Sequence, residues 1–215
     1  MIKANLTRPC IMFFTEPILF LLSLYMAFLY GILYLDFTAY PYVFQEVRHW
    51  SLGNSGLAFL GIGVGMAIVS AISPYVNPWL VPIGLFWFAW TSSASIHWAS
   101  CIIAGVPFGF GFVSLFLGIT SYLIDCYGRY AASALGANAI LRSLFGAVFP
   151  LFSRQMYDDL GTGWGTSLLG FVALAMTPMP YVFYHYGPKI RARSAFHQMT
   201  MGQEKKEAER EDLRK

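Results

Sequence analysis

Six apolar runs decide what this chain can become. Pro17–Asp36, Leu57–Val76, Trp79–Trp98, Cys101–Ile124, Ala131–Phe152 and Thr166–Tyr186 are each long enough to cross a bilayer, which takes about 20 apolar residues. They fill nearly the whole chain, so no separate soluble domain fits between them. Composition agrees. The 215 residues are 57% hydrophobic and 12% charged, with a mean hydropathy of +0.55, whereas soluble domains carry about 25% charged residues. The expected fold is an all-α membrane protein of six transmembrane helices. Residues 1–16 form a cytoplasmic segment, 17–186 the six-helix unit and 187–215 a charged cytoplasmic tail.

Orientation is read from the loop cations. With the N-terminus inside, Lys3, Arg8, Arg129, Lys189, Arg191 and Arg193 are cytoplasmic, and only Arg48 and Arg154 fall outside. That bias follows the rule that basic residues stay on the cytoplasmic side. It predicts an integral membrane protein with both termini in the cytoplasm, the plasma membrane being the expected location. The run after Met1–Thr15 is too long for a cleaved signal and no small-residue cleavage site follows it. It is expected to remain as the first span.

Several local features carry expectations. Thr15-Glu16-Pro17 reads as a helix start with Thr15 as N-cap. Gly61–Gly65 (GIGVG) places glycines four apart, which suits close helix packing or, less simply, a ligand site. Pro107 and the surrounding glycines (Gly105–Gly111) suit either a moving helix or a packing device. Asp125 and Arg129 could form an ion pair four residues apart or hold a gate. Gly187-Pro188 should end the last helix. Cys10, Cys101 and Cys126 match neither a metal pattern nor an even disulfide set. His49, His97, His185 and His197 are scattered, so no metal or cofactor is expected and an enzyme is not. Basic residues never cluster with aromatics on a polar segment, which excludes nucleic acid.

The residue that needs most explanation is Arg142, near the middle of the fifth run. A charge at bilayer depth is costly and normally faces the bundle interior or an aqueous cavity. At helical spacing Leu135, Asn138, Arg142, Phe145 and Phe149 share its face. Such a position can hold a substrate anion or an acidic partner, or tie two helices together. Aromatic pairs elsewhere could line the same cavity: Tyr30 and Tyr34, four apart in the first run, and Trp87 and Trp90 in the third. The acids Glu16, Asp36 and Asp125 all read as lying near span ends. None is an obvious partner for Arg142, which points to a partner outside the chain.

These residues also form a recognisable set. FTEPILFLLSLYMAFLYGILYL at Phe14–Leu35, PIGLFWFAWTS at Pro82–Ser92, AGVPFGFG at Ala104–Gly111 and SYLID with YAASALGANAILRSLFGAVFPLF across Ser121–Phe152 resemble the C-terminal half of a fungal major facilitator superfamily transporter. The branch is that of drug:proton antiporters and polyamine transporter-like carriers. LLGFVALAMTPMPYVFYHYGPKIRARS resembles the last span and tail of the same family. The resemblance implies twelve spans in two halves, with the substrate cavity between them, and equates these six with the seventh to twelfth. It places the family's Arg-Ser pair on Arg142 and Ser143. It also implies that the first six spans are absent here, and that Ser73–Pro78 stands where relatives carry a charged cytoplasmic loop.

The function so implied is proton-coupled antiport of a small molecule, a drug or polyamine-like cation. Tyr30, Tyr34, Trp87, Trp90, Asn138 and Arg142 would line the substrate cavity. Membrane lipids, substrate, protons and a second six-helix half or another transporter chain would be the partners. The alternative is a half-transporter that does not transport and serves as a membrane assembly partner.

Overall fold

A computed structural model describes residues 9, 11–72 and 77–191, with side chains for all of these except 72, 129, 184 and 187–191. Among the described residues the secondary structure is helical and no strand occurs. A helix satisfies every backbone hydrogen bond within its own segment, which is why it serves in lipid. Helix α1 runs Pro17–Pro41, passes into a π-helical turn at Tyr42–Val47, and is followed by the short α2 (Leu52–Leu57) and α3 (Leu60–Ile72). Then come α4 (Leu80–Thr91), α5 (Trp98–Tyr127), a 3-10 turn at Gly128–Tyr130, α6 (Ala131–Met176) and α7 (Pro178–Arg191). Four helical stretches are long and apolar enough to cross a membrane: Pro17–Val47, Leu52–Ala71, Trp98–Tyr127 and Ala131–Phe183.

The last of these makes two passes. Its 53 residues would reach about 80 Å unbroken at ~1.5 Å per residue, far beyond a ~30 Å hydrocarbon core. Gly161 breaks it, with φ 73 and ψ 165. The first arm of α6 packs along α1 and the second along α4. With α4 as a shorter apolar helix, the described residues form six successive apolar helical segments.

The packing gives the relative directions of these segments. Ser23, Gly31 and Glu46 of the first pass and its turn meet Asn138, Phe149 and Arg154 of α6 in that order, so the first and fifth passes run parallel. Gly61 and Gly65 of α3 meet Ile102 and Val106 of α5, a second parallel pair. Gly84 and Val81 of α4 meet Phe108 and Gly111 of α5 in reversed order, and Phe86 and Trp90 meet Gly170 and Trp164. These last pairs are antiparallel. Two three-helix units of opposite orientation would pair their helices in this way.

Several expectations change. The first pass does not end at Asp36: helix continues to Pro41 and the turn to Val47, because Ala39, Tyr40, Val43 and Phe44 are still buried. Asp36 therefore lies inside a helix. Glu16, not Thr15, is the N-cap of α1, and the Thr15 hydroxyl donates back to the Ile11 carbonyl within the preceding turn. The third pass stops at Thr91, since Ser92–His97 is irregular and Trp98 already opens α5. The last helix continues through Gly187-Pro188 to Arg191. Likewise α5 continues past Asp125 to Tyr127, which leaves a tight 3-10 turn before α6. The side chain of Arg129, Cys10, most of the Ser73–Pro78 connection and the tail from residue 192 lie outside what is described.

Glycines set the closest contacts. A Cβ on Gly61 or Gly65 would strike the carbonyl oxygens of Ile102 or Val106, so both motifs of small residues act in packing. Helix α5 runs through Pro107, and Gly105 and Gly109 admit Ile62 of α3. The irregular segment after α4 is held by one side chain. Arg48 gives both terminal nitrogens to carbonyls there, Nη1 to Ile96 at 2.9 Å and Nη2 to Thr91 at 3.1 Å and Ser93 at 2.8 Å. Such bonds satisfy carbonyls that no helix pairs here. His97 accepts a hydrogen bond from the Ala99 N–H and so caps α5.

Candidate functional site at the seam of α1 and α6

The seam between the two parallel passes gathers the polar residues predicted to share a face. Asn138 is buried and its Nδ2 donates to Ser23 Oγ at 3.4 Å. One turn further, the Arg142 guanidinium lies 4.9 Å from the Tyr30 ring centre and 5.1 Å from that of Phe116 on α5. Guanidinium over an aromatic face is attracted by the ring quadrupole, at about 0.5–2 kcal/mol depending on desolvation. Two rings from two helices thus replace part of the hydration Arg142 gives up. Among the described residues Arg142 makes no ion pair, and its Nε is buried without an acceptor.

Around it the site is aromatic. The Tyr30 and Tyr34 hydroxyls are 3.3 Å apart and their rings 4.8 Å. Gly146, one turn after Arg142, lets both tyrosines lie against α6. Phe37 continues the row, 5.6 Å from Tyr34, and Tyr34 and Phe37 are 36% and 48% exposed. Phe149 closes the seam between Phe28 and Phe145, its ring filling the space over Gly31. The result is an open aromatic strip with one fixed positive charge at its edge. Such a strip can stack flat apolar or amphipathic molecules and meet one anionic group.

The tryptophans lie elsewhere. Trp87 donates from Nε1 to Ser100 Oγ at 3.1 Å, and Trp90 meets Trp164 edge-on at 5.7 Å on the second arm of α6. Both are exposed on the α4 side of the bundle. The structure therefore groups Tyr30, Tyr34, Asn138 and Arg142 and leaves Trp87 and Trp90 on a separate surface. Phe116 joins the site although sequence reasoning did not name it. Its signal was the ladder Phe108, Phe112, Phe116, whose rings stack four residues apart along α5. Among the described residues no group of three or more His, Cys, Asp or Glu could hold a metal ion.

Known proteins resemble the chain over nine-tenths of its length. It is 53% identical to "Major facilitator superfamily multidrug transporter mdrA" of Aspergillus fumigatus, a match covering 90% of this chain and 36% of that protein. It is 48% identical to "MFS-type efflux pump MFS2" of Trichophyton rubrum, with coverages of 90% and 37%. It is 47% identical to "Citrinin biosynthesis cluster MFS transporter mrr1" of Monascus ruber, with coverages of 89% and 44%. The chain thus spans well under half the length of these relatives. The first match runs over 220 aligned positions, more than the 215 residues of this chain, so that relative carries residues inside the matched region that this chain lacks. No family model matches the chain, and no solved structure does.

Proposed function

We propose, for a chain that belongs to the major facilitator superfamily, the role of one six-helix half of a membrane efflux carrier. Its family consists of transporters rather than enzymes, and lipid is its surroundings. The cargo is a small drug-like, amphipathic molecule, with polyamine-like cations as the narrower class. Export is driven by protons moving the other way, as one half rocks against the other. The chain sits in the plasma membrane with both termini in the cytoplasm, the orientation that its loop cations favour.

The observation that carries this reading is the Arg142 guanidinium between Tyr30 and Phe116, with no acid paired to it among the described residues. A membrane-embedded arginine without a partner is expensive unless it meets one during function. In the complete carrier Arg142 faces an acidic group on the opposite half, and the cargo stacks on Tyr34, Phe37 and Tyr30. Asn138 holds α6 against α1 beneath them. Trp87 and Trp90 contribute an aromatic surface towards lipid or a second site on the α4 side.

Efflux tests the reading. This chain is co-expressed with a six-helix N-terminal half from one of the relatives, in yeast lacking its own drug pumps. Accumulation of a fluorescent drug should fall with both halves present and recover when the proton gradient is collapsed. Unchanged accumulation, with both halves in the membrane and bound to each other, would overturn it.

A further inference from the structure

Asp36 is a carboxyl inside an apolar helix, and no base among the described residues forms an ion pair with it. Only 3% of it is exposed. Tyr40 on its own helix, Cys101 on α5 and Tyr157 on α6 all feel its charge. None of these carries positive charge. Of the bases on the surrounding elements, Arg48 gives both terminal nitrogens to backbone carbonyls, Arg154 pairs with Glu46 at 3.2 Å, and Arg142 lies against the Tyr30 and Phe116 rings. An ionised carboxylate held there is far costlier than the neutral acid.

The groups beside it form a polar file to one end of the bundle. The Tyr157 hydroxyl, and Thr166 Oγ1 beyond the Gly161 break, are buried without a hydrogen-bond partner. A hydroxyl can donate to a carboxylate and accept from a carboxylic acid, so Tyr157 can follow either state of Asp36. The Tyr157 ring lies 5.8 Å from that of Tyr42. Tyr42 in turn lies beside Asp158, Glu46 and Arg154, which are all exposed.

We propose that Asp36 is a proton-carrying residue of the carrier, loaded from the Glu46–Arg154 end by way of Tyr157. The inference rests on the reading of the chain as half of a proton-driven carrier and names the group in this half that binds the proton. Loading forms an O–H bond on one carboxylate oxygen with a proton from water at that end. Unloading breaks that bond and returns the proton to water on the other side, as α1 shifts against α6. No electrons are transferred.

The test has two arms. The purified chain in lipid bilayers is titrated by infrared spectroscopy at the carbonyl stretch of a protonated carboxyl. A band present at neutral pH should be lost in Asp36→Asn and retained, displaced, in Asp36→Glu. Tyr157→Phe should shift the pH at which the band disappears. Identical spectra for the wild type and Asp36→Asn would overturn the proposal. In the paired halves, Asp36→Asn should abolish proton-driven export yet keep exchange of cargo for cargo, which also shows that the variant folds. Full proton-driven export by Asp36→Asn would overturn it equally. The wild type is measured first. If its export ignores the proton gradient, the proton-driven reading itself falls, whatever the infrared band does.

Discussion

The guanidinium carbon of Arg142 sits 4.9 Å from the centre of the Tyr30 ring, across the seam of two parallel passes. Charge and ring are both needed for that attraction, which predicts an ordered series of variants. Arg142→Ala removes the charge and should abolish most drug export by the paired halves. Arg142→Lys keeps the charge but not the planar fork, and should retain part of it. Tyr30→Phe keeps the ring face and should export nearly normally, while Tyr30→Leu should weaken export and destabilise the bundle by about 1–2 kcal/mol. Drug accumulation and thermal unfolding in detergent measure the two effects. Equal activity of Arg142→Ala and the wild type would show that the arginine is dispensable.

Three glycines of α3 should behave differently despite their closeness. A methyl group on Gly61 or Gly65 meets the backbone oxygen of Ile102 or Val106, and backbone cannot yield as a side chain can. Gly61→Ala and Gly65→Ala should each cost about 1–3 kcal/mol, the usual range for overpacking. Gly63 has nothing within 4 Å of its position for a Cβ. Gly63→Ala should be neutral or slightly stabilising, because alanine is the better helix former. Unfolding of the three variants side by side checks the contrast. A large loss at Gly63 would mean that this face is covered in the membrane.

Arg48 predicts a local effect of another kind. Its three carbonyl partners lie 43 to 48 residues away and close the segment after α4. Hydrogen bonds from a charged donor contribute about 1.5–3 kcal/mol each when buried. These are partly exposed, so Arg48→Met should cost about 2–3 kcal/mol in total, at the lower end of that scale. Hydrogen exchange at Ser93–Trp98 should accelerate while exchange in α1 stays slow. Arg48→Lys should rescue little, since one ammonium cannot reach three carbonyls on a fixed fork.

These relationships differ in how far the sequence foretold them. The apolar helical segments were legible because a bilayer imposes length and apolarity on each one, and Arg142 was legible because a charge violates that rule. The face shared by Asn138, Arg142 and Phe149 followed from helical spacing alone. The limits of the helices were not legible from hydropathy. Asp36 interrupts the apolar run, yet α1 continues through it because Tyr40 and Phe44 bury the next turns. Arg154–Leu160 is polar enough to look like a loop, but the helix persists up to Gly161. The partners of Arg48 and the place of Phe116 depend on contacts between distant helices. No local pattern encodes such contacts. The separation of Trp87 and Trp90 from the tyrosines has the same cause, since spacing within a helix does not say which neighbour its face will meet.

Gly161 offers the sharpest backbone prediction. Its φ of 73 combined with ψ of 165 lies in a region open essentially to glycine alone, where a side chain costs roughly 1–3 kcal/mol. Space is not the obstacle, because nothing lies within 4 Å of its Cβ position. Gly161→Ala should therefore lose about 1–3 kcal/mol through conformation alone, and Gly161→Asn should lose as much, since the tolerance of asparagine for positive φ is confined to ψ of about +30 to +60. The consequence reaches beyond stability. The break sets the angle at which the second arm of α6 returns along α4, where Ser92 and Thr162 hydroxyls meet at 2.9 Å and Trp164 meets Trp90. A cysteine pair at Ser92 and Thr162 should cross-link readily in the wild-type background and more slowly with Gly161→Ala. Equal cross-linking and equal stability would show that a continuous helix serves the chain as well as a broken one.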